Sequence, residues 1–122
     1  RAYLGRLSGP LLDRIDLHLD IGAINTADML AAPSGESSAA VRARVTAARA
    51  LAAARHHVLS IPARTNAALK GEQVQQACAL DDEGRNLMEK ALARLNLSMR
   101  AYSRTLKVAR TIADLEASDT IR

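Results

Sequence analysis

Two helix-length amphipathic patterns separated by Asn96-Leu97-Ser98 constrain this chain more than any other feature. Asp81 caps a helix over residues 82–95, on which Leu87, Met88, Ala91, Leu92 and Leu95 recur at the helical repeat and should face a core. Asn96 suits the left-handed position that ends such a helix, because its short polar side chain tolerates positive φ. Ser98 then caps a second helix over about residues 99–116. So short a joint should leave the two helices packed as antiparallel neighbours. On the second, Ala101, Tyr102, Thr105, Leu106, Val108, Ala109 and Ile112 share a broad apolar face. Arg100, Arg104, Lys107 and Thr111 fall within about 60° of each other on the opposite side and form a basic stripe.

Upstream, a helix is expected from about 36 to 57, with Ser34 as cap, Glu36 in its first turn and Arg55 near its end. Val41, Val45, Ala48, Ala52 and Leu59 make one stripe, flanked by Arg42 and Arg49 on one side and by Arg44 and Arg55 on the other. The chain breaks around Ser60-Ile61-Pro62, and a short helix follows near 71–78. Ahead of these, Ser8 or Gly9 caps a short helix with Pro10 in its first turn. Leu17, Leu19 and Ile21 alternate with His18 and Asp20, the pattern of a half-buried strand. Nothing downstream offers it a partner, so its ladder belongs to a sheet in a larger parent. Residues 22–35 read as a connection.

The 122 residues contain no Trp and no Phe, so the core must be built from aliphatic side chains and alanine, which favours closely packed helices. Cys78, the single cysteine, has no internal disulfide partner and reads as a small buried residue. The absence of a long apolar run and of an initiating methionine leads to the expectation of a cytoplasmic, non-membrane segment of a longer protein. The net charge of +4 is concentrated in residues 36–64 and 98–122, which permits contact with a polyanion without demonstrating it.

There is no GxxxxGK[ST] phosphate loop, no CxxC and no HExxH, so neither ATP hydrolysis by this chain alone nor a metal site is expected. His56 and His57 lie about 100° apart on a helix and read as surface or cap residues. Arg14, between Asp13 and Asp16, either projects a guanidinium outward or forms a local ion pair. Arg100, two residues past a cap, either serves an anion at a helix N-terminus or lies on a solvated face.

The run Arg6-Leu7-Ser8-Gly9-Pro10-Leu11-Leu12-Asp13-Arg14-Ile15-Asp16-Leu17-His18 is similar to the RxSGPLLDRIDxH stretch of bacterial Mg-chelatase-like AAA+ ATPases of the ComM type. GESSAAVRARV at 35–45, Asn66-Ala67 before Leu69, and the run at 78–116 add further matches in the family's order. This resemblance implies a mainly α chain in three parts. Residues 1–24 would end an α/β AAA+ core with a short helix and one strand, 25–35 would link, and 36–122 would form the helical lid, stopping before the family's final helix. It also implies a homo-oligomeric ring, usually a hexamer, that hydrolyses ATP with Mg2+. Arg14 matches the arginine finger acting in trans on the neighbour's ATP, and Arg100 matches the lid arginine called sensor 2, acting in cis. Arg104 and Lys107 would be accessory basic residues.

ComM-type members resemble DNA motors for branch migration in transformation, and the SGPLLDRID and LSxRAYxRxLxVARTIADL motifs favour that over the related role in inserting metal into porphyrin. A stand-alone helical module binding nucleic acid or protein through Arg100, Arg104 and Lys107 is the competing class. The chain departs from the family pattern over residues 22–32, and Asn96 stands where a glycine is usual.

Overall fold

The computed structural model describes residues 14–23, 26 and 35–121. The expected short helix after Ser8 and most of the 25–35 connection therefore lie outside the described residues. The described chain is mainly α: α1 (Ser38–Val58), a 3-10 turn (Asn66–Ala68), α2 (Glu72–Ala77), α3 (Asp82–Leu95) and α4 (Met99–Leu115).

Each long helix begins at a side-chain cap. Ser98 accepts from Ala101 N at 3.2 Å and Asp81 from Gly84 N at 2.7 Å, as their spacing predicts. On α1 the cap is Ser37, accepting from Ala40 N at 3.2 Å, so the helix starts later than expected. Glu36 lies ahead of it and reaches forward to Arg44 in a two-pronged ion pair of 2.6 and 2.9 Å.

The helix ends share a device. Ser60, Asn96 and Ala117 adopt φ of 54°, 48° and 53°. After α1, Ser60 N and Ile61 N donate back to His57 O and His56 O; after α4, Ala117 N and Ser118 N donate to Asp114 O and Ala113 O. This is the Schellman arrangement, which satisfies carbonyls orphaned by the helix end. Ile61, thrown inward by its turn, is buried. Before α2, Gly71 holds φ 50° with ψ −125°, a combination that suits glycine.

The core gathers Ile61, Leu69, Val74, Ala77, Cys78, Leu106, Ala113 and Ile121, with Leu59, Ala63, Leu80, Tyr102 and Ala109 packed against it. Leu69 and Leu106 are fully enclosed. A lone parallel bridge between Leu80 and Ile121 draws the end of the described chain onto the loop before α3. Cys78 is buried as expected, and burial pushes its thiol pKa up.

Three expectations hold only in part. Residues 17–21, whose ladder was expected in a larger parent, form no strand here; Leu17, Leu19 and Ile21 are exposed, and none of the described residues offers a ladder to pair with. The second concerns α3, which has no fully buried residue and leaves Leu87 and Leu95 in solvent. Instead of lying antiparallel along α3, α4 packs chiefly on α1, the 3-10 turn and α2. Thirdly, the stripe of α1 meets the core only in its second half: Ala48 and Ala52 are buried as expected, with His56 beside them on the same face, while Val41 and Val45, nearer the helix start, are exposed. His56 is thus a core residue and not a surface or cap residue. Its Nδ1 donates to Ala63 O at 2.8 Å, which fixes the tautomer because a carbonyl only accepts.

Candidate functional site

The candidate residues cluster around α4. Arg100 is the second residue of that helix, where Ser98 sets the start and no acidic side chain occupies the first turn. It is exposed and engages none of the described residues. Backbone N–H groups and the helix dipole make this end of α4 electropositive, so an exposed guanidinium here suits an anionic ligand.

The rest of the basic stripe is not free. Arg104, one turn on, is only 21% exposed and forms an ion pair through Nε with Asp16, 88 residues away in sequence. Lys107 donates from Nζ to Ala67 O at 3.2 Å, and Thr111 accepts from Asn66 Nδ2 at 3.1 Å. The wheel grouped these residues correctly, but that side packs against the 3-10 turn and the 14–23 segment. Arg104 and Lys107, expected as accessory basic residues, are thus engaged within the chain, and Arg100 is the basic residue of this side that is left exposed.

Arg14 lies in a turn and is exposed. Its neighbour Asp16, one candidate partner for a local ion pair, is engaged by Arg104 instead. Asp13 lies outside the described residues.

Sequence reasoning missed a buried polar cluster tying α1, the 3-10 turn and α4 together. Asp114, 3% exposed, accepts from Arg55 Nη1 and Nη2 at 2.7 Å each and from Asn66 Nδ2 at 2.8 Å. Arg110 Nη2 lies 3.2 Å from the same carboxylate and Nη1 donates to Asp119 O at 2.8 Å, holding the turn beyond α4. Arg55 also donates to Asn66 Oδ1 at 3.2 Å. Burial alone would raise the Asp114 pKa, but hydrogen bonds from Arg55 and Asn66 and the charges of Arg55 and Arg110 outweigh it and hold the carboxyl below its ordinary value. The available signal was Arg110 and Asp114 at i, i+4 beside the apolar Leu106 and Ala113, a paired charge next to an apolar face.

Among the described residues no group of three His, Cys, Asp or Glu side chains could hold a metal ion, and no helix is long and apolar enough to cross a membrane.

A mainly helical body with an exposed arginine at the start of its last long helix is matched by sequence comparison. The family described as magnesium chelatase, subunit ChlI C-terminal, matches residues 35–122, and the chain belongs to that family. Protein YifB of Salmonella typhimurium is 46% identical over 121 residues, and protein YifB of Escherichia coli is 46% identical over 124. Competence protein ComM of Haemophilus influenzae is 41% identical over 125. Each alignment covers 98% of this chain and 22% of the relative, so the chain spans about a fifth of their length. The resemblance to ComM-type Mg-chelatase-like proteins is thereby established.

Proposed function

We propose that this chain supplies a ring-forming AAA+ ATPase with its lid and two nucleotide-contacting arginines, Arg14 acting in trans as arginine finger and Arg100 in cis as sensor 2. The observation that supports this most is the division of labour on α4. Of its basic residues Arg100, Arg104, Lys107 and Arg110, the last three are held by Asp16, by the Ala67 carbonyl, and by Asp114 with the carbonyls after the helix. Only Arg100 engages none of the described residues. The consumption of Arg104 and Lys107 also weighs against a stand-alone module that binds through the stripe.

Phosphoryl transfer places growing charge on equatorial oxygens, and a planar guanidinium such as that of Arg14 or Arg100 can meet two of them. Neither arginine would work alone, because the phosphate loop and magnesium ligands must come from other parts of the protein. ATP with Mg2+ is the proposed substrate, a homo-hexamer in the cytoplasm the proposed assembly, and DNA the proposed track. The 41% identity to a protein named for competence favours DNA over metal insertion into porphyrin.

The test uses the full-length protein. Arg14→Ala should leave ATP binding intact and lower hydrolysis by roughly 10³-fold or more, while Arg100→Ala should uncouple the nucleotide response of its own subunit. Mixing the two variants pairs an intact finger with an intact lid at some interfaces, so activity should return in part. If mixed rings form and nothing returns, the two arginines do not act on opposite sides of the interface.

A further inference from the structure

We propose that the Asp16–Arg104 ion pair is a latch that seats the arginine finger against the lid, making Arg104 a positioning residue for Arg14; this rests on the finger reading given above. Asp16 lies two residues from Arg14, which limits the Cα separation to about 7 Å, and Arg104 lies one helical turn from Arg100, about 6 Å along α4. One contact therefore connects the segment carrying the finger to the helix carrying sensor 2.

The two partners are unequal. Arg104 is 21% exposed and fixed on a capped helix, whereas Asp16 is 54% exposed on a segment without regular structure. Leu17, Leu19 and Ile21 are exposed at 67%, 84% and 89%, so apolar packing does not anchor these residues to the helical body. Among the described residues this pair is the one side-chain hydrogen bond between segment 14–23 and that body. By taking up the Asp16 carboxylate, Arg104 also leaves the guanidinium of Arg14 without competition from that acid for a phosphate. A movement of α4 that follows nucleotide at Arg100 would thus be passed to Arg14.

The test is charge exchange in the full-length ATPase. Arg104→Asp and Asp16→Arg should each lower kcat by about 2- to 30-fold, the range typical of residues that modulate coupling between sites, with KM for ATP unchanged. Arg104→Lys should retain more activity than Arg104→Asp. Both reversals in one chain should restore kcat, whereas an equimolar mixture of the two single variants should not, because the pair forms within a subunit. Amide hydrogen exchange across residues 14–23 should rise in each single variant and fall back in the double variant. Wild-type kcat and exchange in Arg104→Asp, rescue by mixing, or a KM that rises in step with the loss would overturn the latch. Arg14→Ala and Arg100→Ala serve as references: if they abolish turnover while the latch variants are silent, only the latch is wrong. If they too leave turnover unchanged, the finger reading fails and the latch falls with it.

Discussion

Removal of the Asp114 carboxylate is the most demanding test of the fold. In Asp114→Ala, Arg55 loses both short bonds and retains Asn66 Oδ1, while Arg110, with a side chain 3% exposed, keeps its carbonyl partners but loses its counter-charge. Breaking a buried pair from one side costs about 3–5 kcal/mol because the remaining charge is uncompensated. Arg55 is 21% exposed and can recover some hydration, which places the loss near the lower end, about 3 kcal/mol. At roughly 4–8 °C per kcal/mol for a domain of this size, the melting temperature should fall by about 12–24 °C. Thermal and urea unfolding followed by far-UV circular dichroism would measure it. Asp114→Asn combined with Asn66→Asp keeps one carboxylate beside Arg55 and should recover part of the loss. A penalty for Asp114→Ala below about 1 kcal/mol, the worth of a surface pair, would refute the reasoning.

The same carboxylate sets a pH dependence. Its folded pKa is lowered, so at acidic pH the unfolded chain binds the proton first and stability rises with pH. The contribution is complete above the unfolded value of about 3.9 and is lost as pH falls through the lower folded value. Asp114→Ala should therefore flatten the stability profile below about pH 4.

Two further outcomes are expected. Ala117→Gly should stabilise the chain by about 1 kcal/mol, since a Cβ at φ 53° is strained and glycine is not; an unchanged urea midpoint would contradict the strain. Cys78, buried and with its pKa raised, should react with a thiol reagent at pH 8 only as fast as the chain opens, and rapid modification of the folded protein would show the core to be looser than described.

The sequence by itself determined what is local in this protein. The caps at Asp81 and Ser98, the left-handed Asn96 and the short helix after Gly71 each follow from a few adjacent residues, because a cap or a positive φ is decided within one turn of chain. The likeness carried by the 78–116 run identified the family from the same local record. Tertiary structure decided how far along each face the core reaches. A helical wheel says which residues share a side but not which of them meet a neighbour, and so Val41, Val45, Leu87 and Leu95 ended in solvent while His56, on the same side of its helix as Val41 and Val45, was buried. Apolar periodicity also passes over polar residues, whose burial becomes favourable only when partners arrive from elsewhere in the chain. Asp114 is buried because Arg55 reaches it from 59 residues away, and Arg104 is engaged because Asp16 lies beside it across 88. Those pairings follow from how α1, the 3-10 turn and the 14–23 segment come to rest on α4, and no spacing along one helix contains them.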